Sequence, residues 1–198
     1  MGLKLPPPSY RGRLSVEEAL LRRRSVREYL PDSLTLDEVS QLLWSAQGVT
    51  DPYGFRAAPS AGALYPLEVY IHATKVEGLE TGIYRYDPHR HYLLDVKRGN
   101  FALEIYTASL SQGQVLSAPL LILFFAVFER TMVKYGRRGM RYVFNEVGHA
   151  GQNVYLQATA LGLGTVVIGA FYDDELKRIV GARRDEEPLY IMPVGRLE

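Results

Sequence analysis

The sequence of 198 residues contains no cysteine. This absence excludes disulfide bonds, cysteine-ligated zinc sites, iron–sulfur clusters and thiol catalysis. The four histidines show no spacing that would complete a set of metal ligands, so we predict no metal site. Any redox chemistry of this chain must therefore come from a bound cofactor.

The chain also lacks a strong charge of either sign and a long hydrophobic run. Lys and Arg total 23 against 22 Asp and Glu, so a net charge of +1 provides no long-range field for nucleic acid or an anionic membrane. The longest apolar run, residues 120–128, is about half of what a membrane-spanning helix needs, and no signal segment opens the chain. We therefore expect a cytoplasmic protein that binds neither nucleic acid nor membranes.

Length and composition predict one globular domain. Hydrophobic residues make up 47% of the chain and charged residues 23%, which is enough apolar material for a core. Three consecutive prolines, Pro6 to Pro8, oppose a helix near the start because proline lacks the amide donor. Residues 1–13 are therefore predicted to form an extended arm, and residues 14–198 a single domain.

Capping-box spacing predicts the start of two helices. Ser15 precedes Glu18 and Thr35 precedes Glu38 by three residues, so in each pair a hydroxyl and a carboxylate can satisfy free amides. A longer helix, residues 141–161, has an apolar stripe that needs partners on more than one side, which indicates a subunit interface. Three polar residues on this helix either form hydrogen bonds at that interface or face solvent: Glu146, Gln152 and Asn153.

Apolar patterns predict the strands of one sheet. The predicted strands span residues 68–73, 83–86, 92–94, 120–128, 165–168 and 189–194. Two further helices are predicted at residues 101–111 and 173–180. The run 120–128 is apolar throughout, which is typical of a strand buried on both faces at the centre of a sheet. Because helices and strands do not alternate strictly, the pattern indicates the α+β class.

The densest local signal is a group of four arginines and a serine: Arg22, Arg23, Arg24, Ser25 and Arg27. Fork-shaped guanidinium donors suit a phosphate, and a further arginine can face another anionic group. The alternative is a solvated basic helix end, which the helix dipole favours. At the other end of the chain, Arg196 beside Gly195 offers a second cationic group that could complete such a site.

Two segments rich in small residues are candidate ligand loops. Residues 59–66 would let backbone amides approach a flat ligand, and Ser60 adds a hydroxyl; a plain surface loop is the alternative. In residues 162–170 the glycines flank a predicted strand rather than open a helix after one. The second segment therefore matches neither a Walker loop nor a complete dinucleotide fingerprint.

Four motifs in order resemble the FMN-dependent nitroreductase family. They are Arg-Arg-Ser-Val-Arg at 23–27, Pro-Ser-Ala-Gly-Ala-Leu-Tyr-Pro at 59–66, Gly-Leu-Gly-Thr-Val-Val-Ile-Gly at 162–169 and Pro-Val-Gly-Arg at 193–196. Within that family the chain is most similar to the SagB-type dehydrogenases, which oxidise thiazoline and oxazoline rings in peptides. The resemblance implies a central mixed, mainly antiparallel sheet flanked by helices, with a long helix at a homodimer interface.

The resemblance also implies an FMN site shared between two subunits. It places Arg23 and Ser25 on the FMN phosphate with Arg24 nearby. It places Arg27 at the N1–O2 edge of the flavin, where reduction adds negative charge that a guanidinium can stabilise. The other implied flavin contacts are Pro59, Ser60, Ala61 and Gly62 from the second subunit, then Ile168, Gly169 and Ala170 with a backbone amide near flavin N5, and finally Gly195 and Arg196.

Lys134 and Tyr135 match a Lys-Tyr pair that SagB-type enzymes place near the substrate for proton transfer. The alternative is a solvated lysine and a packing tyrosine. The leading functional hypothesis is NAD(P)H-dependent reduction of nitroaromatic or quinone-like molecules, with ping-pong hydride transfer through flavin N5. Oxidation of azoline rings in peptides is the alternative activity, and a non-catalytic flavin-binding module is the alternative of another class.

Overall fold

A computed structural model describes residues 2–197 of the chain. Within these residues the helices are α1 (Val16–Arg22), α2 (Leu36–Gln47), α3 (Ala102–Ala108), α4 (Gln114–Ser117), α5 (Glu129–Tyr135), α6 (Arg138–Ala160) and α7 (Asp173–Val180). The strands are β1 (Gly2–Lys4), β2 (Leu67–Ala73), β3 (Gly82–Asp87), β4 (Tyr92–Arg98), β5 (Leu120–Ala126), β6 (Leu163–Thr165) and β7 (Glu187–Arg196). A short 3-10 helix spans Ala61–Ala63. None of the helices in the described part is long and apolar enough to cross a bilayer.

The strands form one sheet in the order β1-β4-β3-β2-β5-β7-β6. Every neighbouring pair is antiparallel. Two isolated parallel bridges, Ser25 with Thr165 and Leu34 with Val76, lie outside these strand pairs. The predicted α+β class with a mainly antiparallel sheet flanked by helices is therefore confirmed.

Strand β5 is buried along its whole length, as its unbroken apolar sequence predicts. It lies beside the middle strand β2, which is equally buried. The predicted strand end at Phe128 is wrong by two residues, because Phe128 already has helical dihedral angles, φ −56° and ψ −37°, and leads into α5. The short helix α5 was not predicted from the sequence.

The two faces of the sheet carry separate apolar clusters. Alternate side chains of β5 point to opposite faces, so Phe124 packs in the cluster shared with α2 and α6, while Phe125 packs in the cluster shared with α3 and α7. At roughly 25 cal/mol per Å² of buried apolar surface, these two layers supply the main stabilisation of the fold. They also fix α6 across one face, where it passes several of the predicted site residues.

Both predicted capping boxes are present. At α1 the Ser15 hydroxyl accepts from the Glu18 amide at 3.1 Å, and the Glu18 carboxylate accepts from the Ser15 amide at 3.0 Å. Thr35 and Glu38 make the same pair of bonds at the start of α2, at 3.2 and 2.8 Å. The long helix α6 begins at Arg138, three residues before the predicted start at 141. No side chain caps it, which removes the usual sequence signal for a helix start.

Candidate functional site

The arginine cluster and the glycine segment 162–170 meet around one tyrosine of α6. The Ser25 and Tyr155 hydroxyls lie 3.2 Å apart, and the Arg23 guanidinium stacks 5.1 Å above the Tyr155 ring. The Tyr155 hydroxyl in turn accepts a hydrogen bond from the Val167 amide at 2.9 Å. Tyr155 therefore joins two motifs that are far apart in sequence. Sequence reasoning did not single it out, because a tyrosine on a long amphipathic helix carries no signal of its own.

Three of the four arginines in this cluster have no carboxylate partner among the described residues. Among residues 2–197, only Arg22 of the cluster forms an ion pair, with Glu18 at 3.3 Å. Arg24 donates to the backbone carbonyl oxygens of Leu21 and Arg23, and both Arg24 and Arg27 are exposed. Unpaired guanidiniums next to the Ser25 hydroxyl form a donor set that suits a phosphate group.

The loop of residues 59–66 lies against the end of α5. Gly62 has a positive φ of 64°, and a Cβ built there would lie 2.8 Å from the Tyr135 hydroxyl and 2.9 Å from Lys134 Nζ. The structure therefore brings the predicted Lys-Tyr pair to the predicted flavin loop. Tyr135 also packs edge-on against Tyr142, with ring centroids 5.1 Å apart. Tyr135 therefore both packs against another side chain of the fold and lies next to the loop.

The three residues predicted to lie over the flavin differ in their access. Ile168 is buried, and both its amide and its carbonyl are paired with Ile191, at 2.8 and 2.9 Å. Gly169 and Ala170 are exposed, and the Ala170 carbonyl accepts from Gln112 at 3.1 Å. The exposed backbone that a ligand can reach in this segment therefore begins at Gly169.

The C-terminal pair Gly195 and Arg196 has partners within the fold. The Arg196 guanidinium donates to both carboxylate oxygens of Glu38 at 3.0 Å and to the Ser33 carbonyl at 3.0 Å. A Cβ on Gly195 would lie 2.6 Å from Cβ of Tyr29, so the glycine is required for that packing. Among the described residues, no hydrogen bond or ion pair joins the Arg196 side chain to the arginine cluster. This structural role competes with the hypothesis that Gly195 and Arg196 complete the anion site.

The three polar residues singled out on α6 differ in burial: Glu146 is buried, Asn153 is half-buried and Gln152 is exposed. Glu146 is 2% exposed, and burial raises its pKa to about 7, while the nearby Ser60 hydroxyl and Arg56 charge act in the opposite direction. Asn153 donates to the Ser45 carbonyl at 3.0 Å. The sequence left an interface or solvent open for these side chains. The structure buries Glu146 beside the loop that carries Ser60, joins the half-buried Asn153 to α2 and leaves Gln152 exposed to solvent.

Comparison with known proteins places this arrangement in a family. Residues 20–196 match the model of the nitroreductase family. A protein of Methanocaldococcus jannaschii, whose name places it among the nitroreductases, is 49% identical over 183 residues, covering 92% of this chain and 91% of the relative. The microcin B17-processing protein McbC of Escherichia coli is 29% identical over 171 residues, covering 83% of this chain and 63% of McbC.

Solved structures show the same fold. The crystal structure of a protein from Anabaena variabilis, described as a nitroreductase, superposes with a TM-score of 0.87 at 30% identity. The superposition covers all of this chain and 42% of the Anabaena chain. The present chain thus spans less than half of that larger protein.

Proposed function

The chain belongs to the nitroreductase family and is an oxidoreductase, and we propose that it uses FMN to reduce nitroaromatic or quinone-like small molecules with NAD(P)H. The observation that carries this proposal is the set of arginines without carboxylate partners beside Ser25, Tyr155 and the exposed backbone after Ile168. This donor set lies where the family resemblance expects the cofactor.

The residues present fit a flavin nucleotide. Arg23 is held over the Tyr155 ring and Ser25 lies beside the Tyr155 hydroxyl, so both are oriented before any ligand arrives. Preorganised donors of this kind hold a phosphate without a further ordering cost. Arg27 is exposed and unpaired within the described residues, so it is available to balance negative charge at the N1–O2 edge.

FMN, when bound, supplies a hydride acceptor and donor at N5, so that two substrates react in turn in a ping-pong cycle. The chain contributes binding, orientation and proton handling. Gly169 and Ala170 expose backbone without a bulky side chain, which lets a flat ring approach. Lys134 and Tyr135, which lie next to Gly62, would give or take a proton on the substrate side.

We also propose that the active unit is a homodimer, with residues 14–198 as the FMN-binding domain. Apolar side chains remain exposed on the helices next to the site: Leu20 and Leu21 on α1, Val133 on α5, and Met140 and Phe144 on α6. An apolar surface of this kind favours association with a second chain. In such a dimer, the loop of residues 59–62 would reach the flavin of the partner.

A second candidate function is the oxidation of azoline rings in peptides. The position of Lys134 and Tyr135 beside Gly62 favours it, because this oxidation needs a base for a carbon-bound proton while hydride leaves to the cofactor. The relative McbC, by its name, processes a microcin. The two activities therefore differ in whether Lys134 is needed.

Anaerobic reduction of the purified protein tests these proposals. A yellow protein that bleaches with NADH or NADPH and is reoxidised by a nitroaromatic or quinone supports the reductase. If only an azoline peptide bleaches it, and Lys134→Met slows that reaction roughly 100-fold or more, the second function holds. A yellow protein that no donor bleaches is a flavin-binding module. A colourless protein that refuses added FMN would refute the cofactor assignment.

A further inference from the structure

A buried carboxyl group lies behind the loop that carries Ser60. Glu146 on α6 is 2% exposed, and the Ser60 hydroxyl lies within hydrogen-bonding reach of its carboxyl group. The carboxyl oxygen Oε1 has no hydrogen-bond partner among the described residues. Burial without a full set of partners disfavours the ionised form of a carboxyl group. Glu146 therefore tends to hold a proton next to a residue of the predicted flavin loop.

One charged group acts on this carboxyl. Burial is the largest influence and raises the pKa of Glu146 to about 7, while the Ser60 hydroxyl and the Arg56 guanidinium act in the opposite direction. Helix α6 also packs against α1, α2, α5, β2, β6 and β7. Among the described residues, no other charged side chain acts on the carboxyl. Both protonation states of Glu146 are therefore populated near neutral pH.

The backbone of the loop holds the Ser60 oxygen in place. Its hydroxyl oxygen accepts a hydrogen bond from the Tyr65 amide at 2.9 Å, and its carbonyl accepts from the Ala63 amide at 3.0 Å. Tyr65 has a positive φ of 45°, which non-glycine residues seldom adopt. Ser60 is half-buried, so part of the residue remains accessible. Because the oxygen is fixed, the Ser60 hydroxyl can change only the direction of its proton.

The hydroxyl has a limited number of hydrogen-bonding positions. A serine hydroxyl has one proton to donate and two lone pairs that accept, and the Tyr65 amide already occupies one lone pair. When Glu146 is neutral, its O–H can donate to the second lone pair, which leaves the Ser60 proton for a third group. When Glu146 is ionised, the carboxylate attracts the Ser60 proton. The protonation of Glu146 therefore decides whether Ser60 offers a donor or an acceptor to a ligand.

We propose that Glu146 is a positioning residue for the cofactor, because it sets the direction in which the Ser60 hydroxyl donates. With Glu146 neutral, Ser60 donates to an acceptor atom of the flavin ring. With Glu146 ionised, Ser60 donates inward and this bond to the flavin is lost. Glu146 thus acts through Ser60 and touches neither FMN nor substrate. The inference rests on the proposed function, since it requires FMN beside the loop of residues 59–62.

Fluorescence titration of flavin-free protein with FMN, between about pH 5.5 and 8.5, tests this role. Glu146→Gln replaces the carboxyl by an amide that can donate to Ser60 at every pH, so it imitates the protonated acid. We expect the two proteins to bind FMN equally at the acidic end. At the basic end the wild type should bind roughly 2- to 10-fold more weakly than the variant, which corresponds to one hydrogen bond. Comparing the two proteins at each pH cancels the titration of the FMN phosphate itself.

Two further variants complete the experiment. Glu175→Gln is the matched control, because it makes the same substitution at an exposed residue of α7, on the opposite face of the sheet. This control should follow the wild type at every pH. Ser60→Ala should weaken FMN binding at the acidic end and match the wild type at the basic end, where the ionised Glu146 has already withdrawn the Ser60 proton.

A purely structural role for Glu146 gives a different result. It predicts that Glu146→Gln binds FMN more weakly than the wild type at every pH, and this outcome would overturn the inference. A constant ratio of the two affinities across the pH range would overturn it as well. If Glu146→Gln fails to fold, Ser60→Ala decides, because an equal loss at both ends of the range contradicts the inference. Failure of every protein to bind FMN would refute the proposed function and this inference with it, whereas binding with a constant ratio refutes only the role of Glu146.

Discussion

Two arginine-bearing regions of this molecule look alike in sequence and differ in structure. Arg23, Arg24 and Arg27 follow α1 and have no carboxylate partner in the described chain, whereas Arg196 at the end of β7 is held by both oxygens of Glu38. A guanidinium without a partner is available to a ligand, and one with a bidentate partner stabilises the fold. The partner, rather than the motif, therefore separates a binding residue from a structural one.

Two glycines repeat the same contrast. Gly195 is buried and leaves room for Tyr29, whereas Gly62 is exposed and leaves room for Lys134 and Tyr135. Both glycines are expected at the cofactor site from the family resemblance. The structure gives the first a packing role and leaves the second exposed beside Lys134 and Tyr135.

We expect the largest effect at Glu146, because its carboxyl group is buried without enough partners to stabilise the negative charge. Its pKa is raised from 4.5 to about 7 by burial, so the folded chain holds a proton that the unfolded chain releases. The free energy of unfolding should therefore fall as pH rises from about 4.5 through 7, and Glu146→Gln should lack this loss. We expect the variant to gain at most about 3 kcal/mol over the wild type between pH 4 and pH 8. If urea unfolding shows that the free energies of unfolding of the wild type and of Glu146→Gln change in the same way across this pH range, the raised pKa of Glu146 is refuted.

Arg196→Met tests the paired region. It leaves the half-buried Glu38 carboxylate without its bidentate partner, so we expect a loss of about 2 kcal/mol in the free energy of unfolding. The affinity for FMN should not change. Arg184→Met is the control, since Arg184 is exposed and forms no ion pair in the described chain, and it should alter stability by less than about 0.5 kcal/mol. If Arg196→Met binds FMN more weakly and its stability is unchanged, Arg196 is a cofactor-binding residue instead.

Arg27→Ala tests the unpaired region. Removing the positive charge at the flavin edge should destabilise the reduced cofactor by about 1–2 kcal/mol, which lowers a two-electron potential by on the order of 20–40 mV. Redox titration of the bound flavin measures this shift. Arg22→Ala, which removes an arginine already paired with Glu18, should leave the potential unchanged. Equal potentials for Arg27→Ala and the wild type would reject the proposed role of Arg27.

Gly62→Ala tests the exposed glycine. The positive φ should cost about 1 kcal/mol of stability, and the added methyl group should displace Lys134 and Tyr135. Gly54→Ala is a matched control, because Gly54 also has a positive φ but its Cβ would meet nothing within 4 Å. Both variants should lose similar stability, and only Gly62→Ala should slow substrate turnover. Turnover that Gly54→Ala slows equally would remove the argument for a functional contact.

Local signals explain which parts of the fold could be predicted. The capping boxes at Ser15 and Thr35 and the unbroken apolar run of β5 lie within a few consecutive residues, and the corresponding elements form as predicted. Helix α5 has seven residues and no side-chain cap, so nothing in its local sequence distinguishes it from the end of a strand. Its position depends on packing against α6, which the local sequence does not encode.

The candidate site was predictable only in part, for the same reason. The arginine cluster and the loop around Ser60 are continuous in sequence and were identified as motifs. The partner of Arg196 on α2, the stacking of Arg23 on Tyr155 and the burial of Glu146 all depend on contacts between residues far apart in the chain. Such contacts decide whether a polar residue is free or satisfied, and only the folded chain shows them.

We propose that the unpaired arginines after α1 hold the phosphate of FMN. Binding of FMN and of riboflavin, which lacks the phosphate, should be compared by fluorescence titration for the wild type, Arg23→Ala and Arg196→Met. We expect Arg23→Ala to lose about 1–3 kcal/mol of FMN affinity while riboflavin binds as before, and Arg196→Met to retain the wild-type preference for FMN. An Arg23→Ala protein that prefers FMN over riboflavin as strongly as the wild type would contradict the claim.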